Sequence, residues 1–536
     1  MLILLACFAL TLLYYRQKRT DVWFWSFLFW LALVGTGWRH WEFATDYDWT
    51  ILMPLIIRDL LTVGLVGLVQ SMAVRKQIPI WQAVLFMFAL FAASRMIEVG
   101  VVDHGADVEN FRLQSRSDHS PSDVDDAFTL DFEYLVDLNL SKASEADLIC
   151  WAAQYGYRVE RAFTMLDEDA TDLDDYYVLD APALDPQTTD RLRKSGLFDD
   201  VEENDIFELE LPKSPSSSPL PSPRWGETDG VSPRWGVTNG PPPIGGARGG
   251  SDPLVSQQWA YDALDFKDYY QALAQMPKPR KKARLFILDT GVDAQHEDLR
   301  SNYRSHKSKY DTDLNGHGSH CAGIAAATTH NGLGIASLNV NGLVEVSGVQ
   351  VISRYGMGTQ KTIISGILEA ADAGADVISL SLGGRSSGDK RRAYSRAVNY
   401  ARRKGAIVVV AAGNSSRLAT DYVPASAAGV ITVAAVDQQL QRAVFTNTLE
   451  GIANPICAPG VAIHSTIPKG YKTYSGTSMA CPQVAGLLAV MRAYDPSLDT
   501  EGAYQILHET GKVLPESGKI GRLVQPGEVV RRLQSL

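Results

Sequence analysis

The chain has 536 residues, 61 acidic ones against 50 Lys and Arg, and a formal net charge of −11 at neutral pH. That balance excludes nucleic acid as the expected partner, because a phosphate backbone is bound by basic surfaces. Five cysteines (Cys7, Cys150, Cys321, Cys457 and Cys481) at wide spacings support neither a disulfide framework nor a zinc-ligand pattern.

From the amino end, four apolar segments stand out, near 2–15, 22–38, 51–73 and 79–102. The last two are long enough to cross a bilayer, which takes about 20 residues. The first two are shorter but dense in Leu, Phe and Trp. Arg16, Lys18 and Arg19 follow the first segment instead of preceding it, which does not fit a cleaved signal peptide. Basic loops at 16–19 and 75–76 and an acidic loop at 42–48 orient four spans with both ends outside the cytoplasm. Residues 1–103 are therefore expected to be a transmembrane region in the lipid bilayer. The remainder then lies on the non-cytoplasmic side, periplasmic or extracellular. Inside the spans, Arg58 is expected to pair with Glu98, or Asp59 with Arg95, because unpaired charge in hydrocarbon is costly.

Residues 128–211 read as strand (128–138), helix (145–155), two extended runs (158–166 and 176–180), helix (188–196) and a last extended run (201–211). That is a β-α-β-β-α-β layout, the split βαβ or ferredoxin-like α+β arrangement. Residues 212–252 are rich in Pro, Ser and Gly and carry two near copies of Ser-Pro-Arg-Trp-Gly, at 222–226 and 232–236. Such a stretch cannot build a core and reads as a linker.

From 253 to the end, continuous Val/Ile runs alternate with helical patterns. Strands are expected at 284–288, 344–352, 375–380, 406–411 and 430–436, and helices at 362–373 and 391–403. This predicts an α/β domain with a mostly parallel sheet covered on both faces. Three motifs punctuate it: Asp289-Thr290-Gly291-Val292, then Asn315-Gly316-His317-Gly318-Ser319-His320, then Gly476-Thr477-Ser478-Met479-Ala480. An acid, a base and a hydroxyl therefore occur in the order Asp, His, Ser. A serine hydroxyl needs a base to become a nucleophile, and the base needs a carboxylate to fix its tautomer.

These motifs resemble those of the subtilisin-like serine proteases, over about residues 253–536. Ser319 stands where threonine is common and Cys481 where a smaller residue is common, but neither change removes a reacting group. The resemblance implies that Asp289 orients His317, that His317 is general base and then acid, and that Ser478 is the nucleophile. It places an oxyanion donor at Asn414, beside the backbone N–H of Ser478. It also implies that Gly356, Met357 and Gly358 on one side, and Ser381, Leu382, Gly383 and Gly413 on the other, bind an extended protein or peptide substrate. His296 and His320 are expected to be packed, not reacting. Residues 128–211 correspond to a prodomain, a partner that assists folding and blocks the cleft until cut. Cleavage is expected within 212–252 and should need Ser478. No cofactor is required by this chemistry. A structural calcium is compatible with the loop at 328–334, although the loop itself offers few carboxylates. The competing reading is a membrane-held peptide-binding or sensor protein with a silent protease-like domain, and the complete triad argues against it.

Overall fold

The computed structural model describes residues 133–167, 171, 173–180, 188–204, 206–209, 252–386 and 391–536. The four apolar segments near 2–15, 22–38, 51–73 and 79–102, the charge pairs expected within them and nearly all of the linker lie outside the described residues. Among the described residues no helix is long and apolar enough to cross a membrane.

Two-residue periodicity builds the first sheet. The chain runs β1 (Glu133–Leu138), α1 (Glu145–Gln154), β2 (Arg158–Arg161), β3 (Tyr176–Asp180), α2 (Thr188–Ser195), β4 (Phe198–Glu203) and β5 (Ile206–Glu208). The first four strands make an antiparallel sheet in the order β2-β3-β1-β4. Helix α1 begins at a reciprocal capping box between Ser144 and Asp147, which satisfies two orphan N–H groups. Side chains then alternate between two cores. Tyr134, Val136, Leu138, Tyr177, Leu179 and Val201 pack with Leu148, Ala152 and Leu192 of the two helices. Leu135, Tyr176 and Val178 point the other way and join the core of the larger domain. The small sheet thus covers its second face only against the rest of the protein. The extended run expected at 201–211 is in fact two strands: β4 closes this sheet, and β5 leaves it to pair elsewhere.

The larger part runs β6 (Ala283–Asp289), α3 (His317–Ala326), β7 (Val344–Gln350), β8 (Met357–Thr359), α4 (Gln360–Asp372), β9 (Val377–Leu380), β10 (Gly384–Arg385) and α5 (Arg391–Arg403). It continues through β11 (Ile407–Ala411), β12 (Tyr422–Val423), β13 (Ile431–Val436), β14 (Pro455–Pro459), β15 (Ile463–Ile467), β16 (Gly470–Tyr474), α6 (Thr477–Tyr494) and β17 (Arg522–Leu523). Seven of these form one sheet, β17-β14-β13-β11-β9-β6-β7, with every pairing parallel. In β6, Leu285, Phe286, Ile287 and Leu288 are all buried, as a strand covered on both faces requires. Burying each such side chain contributes about 1.5–3 kcal/mol. The five strands expected from Val/Ile runs are present, all in this sheet. Strands β14 and β17 escaped notice because one is bounded by prolines and the other is two residues long.

Strands β11, β9 and β6 are neighbours, and the chain leaves their carboxyl ends at Asn414, Ser381 and Asp289. Helices α3 and α6 begin with His317 and Thr477-Ser478. The edge of an open parallel sheet where strands end and helices start is where such folds bind ligands.

Candidate active site

Asp289 is the last residue of β6 and is fully buried. Its two carboxylate oxygens lie 2.8 and 2.9 Å from Nδ1 of His317, the first residue of α3. A second set of bonds holds these two elements together. Thr290 Oγ1 accepts from the Gly318 N–H at 3.0 Å and donates to Asp313 at 2.9 Å. Asp313 in turn accepts the N–H groups of Gly316 (2.7 Å) and Ser319 (2.8 Å), capping the start of α3. Gly318 is required by this closeness, since a Cβ there would overlap the carbonyl oxygen of Gly291. Burial is the largest single influence and works to lower the His317 pKa, but the Asp289 carboxylate and the Cys321 side chain together outweigh it, and the imidazole is held well above its ordinary value.

Ser478 is the second residue of α6 and is 5% exposed. Four residues on stands Pro482, which has no N–H to give back to the Ser478 carbonyl. That carbonyl is instead bonded by Ser381 Oγ at 3.0 Å and by Cys321 Sγ at 3.4 Å. The proline thus frees an acceptor through which β9 and α3 are fastened to the start of α6. The Ser478 hydroxyl donates to the Ser381 carbonyl oxygen at 3.1 Å, while His317 Nε2 is buried without a hydrogen-bond partner. The hydroxyl and the base are therefore not bonded to each other in this resting arrangement, contrary to the simplest expectation.

Asn414 lies three residues beyond β11. Its Oδ1 accepts from the Thr477 N–H at 2.9 Å and from Thr477 Oγ1 at 3.0 Å. The carboxamide is thereby oriented with its oxygen on the first turn of α6. Gly413 joins the same knot, its N–H donating to Thr477 Oγ1 at 3.2 Å. Leu382 and Gly383 continue from Ser381 beside this site, Leu382 being buried.

On the opposite side, Gly356, Met357 and Gly358 are not empty backbone. Strand β5 pairs antiparallel with β8, with Ile206 opposite Thr359, Phe207 opposite Gly358 and Glu208 opposite Met357. The Leu209 N–H continues the ladder to the Gly356 carbonyl at 2.8 Å. Phe207 is 3% exposed and packs edge-on against Tyr394. The cue for this in the sequence was only positional: an extended segment between the small domain and the linker.

His320 is packed as expected. Its Nε2 meets the Lys472 carbonyl at 3.0 Å, its ring lies against Tyr474, and burial pushes its pKa down to about 3. His296 Nε2 similarly meets the Gly470 carbonyl at 2.9 Å. Cys481 is buried behind Ser379, and burial pushes its thiol up to about 12. Among the described residues one trio has metal-ligand chemistry at close range, Asp289, His317 and Cys321. Burial raises the Cys321 thiol and keeps its proton on, and Asp289 already holds His317, so this trio does not suit a cation.

The loop at 328–334 gathers the carboxylates that its own sequence lacks. Asp252 accepts the N–H groups of His330 (2.8 Å) and Asn331 (3.0 Å), and Asp298 accepts Asn331 Nδ2 and the Ile335 N–H, both at 2.8 Å. Burial raises both acids, Asp298 to about 6. The two buried carboxylates offer hard oxygen donors of the kind a calcium ion takes, but here their oxygens accept N–H groups, and Asn331 Oδ1 accepts from the Leu333 N–H at 2.7 Å, so an ion would have to replace these bonds.

Comparison with known proteins places these features. The profile of the subtilase family matches residues 280–521. Thermitase of Thermoactinomyces vulgaris is 42% identical over 215 residues, which cover 39% of this chain and 74% of that protein. Subtilisin DY of Bacillus licheniformis is 38% identical over 244 residues, covering 44% of this chain and 86% of that protein. The thermophilic serine proteinase of Bacillus sp. (strain AK1) is 46% identical over 211 residues, covering 38% and 51%.

Proposed function

The chain belongs to the subtilase family and is a serine endopeptidase, and from that premise we propose that it is a membrane-anchored enzyme made in a self-inhibited form, with Asp289, His317 and Ser478 as its catalytic triad. The observation that carries the triad is the buried Asp289–His317 pair beside the start of α6.

The chemistry follows from the geometry. The Ser478 hydroxyl turns from the Ser381 carbonyl to His317 Nε2, which has no competing partner. As Ser478 Oγ attacks the scissile carbonyl, Nε2 takes the proton. Asp289 keeps Nδ1–H in place and stabilises the imidazolium, and the raised pKa of His317 favours that charged form. The oxyanion accepts from Asn414 Nδ2 and from the backbone N–H of Ser478, an orphan donor of the first helical turn. His317 then returns its proton to the leaving amine, and water resolves the acyl-enzyme by the reverse sequence. No cofactor takes part. A calcium held by Asp252, Asp298 and Asn331 would neutralise buried charge and stiffen a loop away from the reacting groups. The competing reading, a silent peptide-binding domain, is not favoured, because nothing in the reacting set is missing.

Self-inhibition is supported by β5. It adds as a strand to β8, the mode in which extended peptides are bound. The small sheet with its two helices acts in this reading as the prodomain, and Ile206–Leu209 as its plug. Membrane attachment rests on the four apolar segments near 2–15, 22–38, 51–73 and 79–102 and their charge pattern, with the protease outside the cytoplasm. The test is expression of the full chain beside its Ser478→Ala variant. The parent should hydrolyse peptides and be cut within residues 212–252. The variant should do neither and should stay whole in the membrane fraction after alkaline washing, whereas in the parent residues 1–211 should stay there and the cut enzyme should be released. Peptide hydrolysis by the variant at the parent's rate refutes the triad.

A further inference from the structure

Asparagine followed by glycine is a chemically labile pair, because the glycine nitrogen can attack the asparagine carboxamide with no side chain in the way. Among the described residues such pairs occur at Asn315-Gly316, Asn331-Gly332 and Asn341-Gly342. The fold treats them differently. Asn315, two residues before His317, has its carboxamide tied at both ends. Its Nδ2 donates to the Arg354 carbonyl at 2.9 Å, and its Oδ1 accepts from the His317 N–H at 3.3 Å. The Gly316 nitrogen, which would have to attack, donates its N–H to Asp313 at 2.7 Å. Asn331 is held in the same way. Its Nδ2 donates to Asp298 at 2.8 Å, its Oδ1 accepts from the Leu333 N–H at 2.7 Å, and the Gly332 N–H donates to Asp252 at 3.3 Å.

Asn341 has none of these restraints. It stands at the first corner of a two-residue turn ahead of β7, with φ of 57° at Asn341 and 64° at Gly342. Two positive φ values make the turn type for which Asn-Gly is the preferred pair. One long bond closes it, from the Leu343 N–H to the Val340 carbonyl at 3.3 Å. Among the described residues neither the Asn341 carboxamide nor the Gly342 N–H has a hydrogen-bond partner. Exposure alone does not single this pair out, since Asn315 and Asn341 are both exposed. The bonds do. Lys282 Nζ lies 4.0 Å from the point where a Gly342 side chain would begin, so an acid formed at this turn gains a cationic neighbour.

We propose that Asn341 is a site of spontaneous modification in the folded enzyme, converting to aspartate and isoaspartate, while Asn315 and Asn331 are kept as amides by the bonds around the triad and the 328–334 loop. The Gly342 nitrogen bonds to Asn341 Cγ and gives up its proton. The Cγ–Nδ2 bond breaks, and Nδ2 leaves with that proton as ammonia. Water then opens the cyclic imide at either carbonyl, giving aspartate or isoaspartate. No electrons are exchanged, and water is the only co-reactant. To react, Asn341 must leave its turn, which breaks the single Leu343–Val340 bond. At Asn315 and Asn331 the three bonds at each pair must break first, so reactive openings there are rarer by roughly tenfold or more. Isoaspartate adds a carbon to the main chain. At position 315 that carbon would push His317 away from Asp289, whereas at 341 it lengthens a surface turn.

The experiment uses the full chain carrying Ser478→Ala, so that nothing is cut, incubated for days at mildly alkaline pH beside the same chain in urea. Peptides holding each pair are then separated and weighed by mass spectrometry. In the folded protein the Asn341 peptide should gain the mass of acid over amide and split into aspartate and isoaspartate forms. The Asn315 and Asn331 peptides should stay unchanged there, and all three should convert at similar rates in urea. Gly342→Ala sets a methyl group beside the attacking nitrogen and should slow conversion at Asn341, with Asn315 and Asn331 still intact as the sign that the fold is kept. Conversion of Asn315 or Asn331 as fast as Asn341 in the folded protein overturns the proposal. So does an Asn341 that stays intact while the chain in urea reacts, or one whose rate Gly342→Ala leaves unchanged.

Discussion

In the self-inhibition we propose, replacing Phe207 with alanine removes the side chain that anchors β5 in the cleft. Its ring is 3% exposed, sits 6.3 Å from the Tyr394 ring centroid in an edge-on arrangement, and fills the space left by the absent side chain of Gly384. Truncating a buried phenylalanine costs roughly 3–5 kcal/mol. At about 1.4 kcal/mol per factor of ten, the closed state loses two to three and a half orders of magnitude against the open one. The assay is the rate at which a fluorophosphonate labels the full chain. Phe207→Ala should label at least a hundredfold faster than the parent, limited only by the rate of the processed enzyme. Gly384→Val presses on the same ring and should also speed labelling, but should add little once Phe207 is gone, because the two share one contact. Unchanged labelling of Phe207→Ala, or fully additive effects of the pair, refutes the placement of β5 as the plug.

Removing the side-chain donor with Asn414→Ala should lower kcat by about a hundred- to a thousandfold with little change in KM, read from steady-state hydrolysis by the processed enzyme. The buried Arg492 guanidinium lies 3.1 Å from Asp376 and donates to the Leu498 carbonyl at 2.7 Å. Arg492→Met leaves Asp376 with Lys281 as its only remaining ion-pair partner among the described residues and should cost on the order of 3–5 kcal/mol, seen as a lower denaturation midpoint. Calcium at about a hundred times its Kd should add about 2.7 kcal/mol to the stability of the parent and nothing to that of Asp298→Asn. In chelator, Asp298 is raised to about 6, so folding favours its neutral form and the thermal midpoint should fall as pH rises through that value.

Much of this architecture is legible in the chain because close packing leaves local marks. Gly318 can only be glycine where α3 meets the end of β6, and the Val/Ile runs of β6, β9, β11 and β13 announce strands covered on both faces. What escaped notice depends on residues that meet only in three dimensions. The loop at 328–334 is poor in acid by itself, and Asp252 and Asp298 reach it from other parts of the fold. Pro482 looks like a helix fault until the orphaned Ser478 carbonyl is found bonded to Ser381 and Cys321. Strand β5 is three residues long, and no local pattern reveals that it abandons its own sheet for β8.

The most direct measurement is the chemical address of a fluorophosphonate adduct on the processed enzyme, found by peptide mass spectrometry. The account places the adduct on Ser478, and expects its formation to collapse in His317→Ala. An adduct on any other serine, or equal labelling without His317, would contradict it.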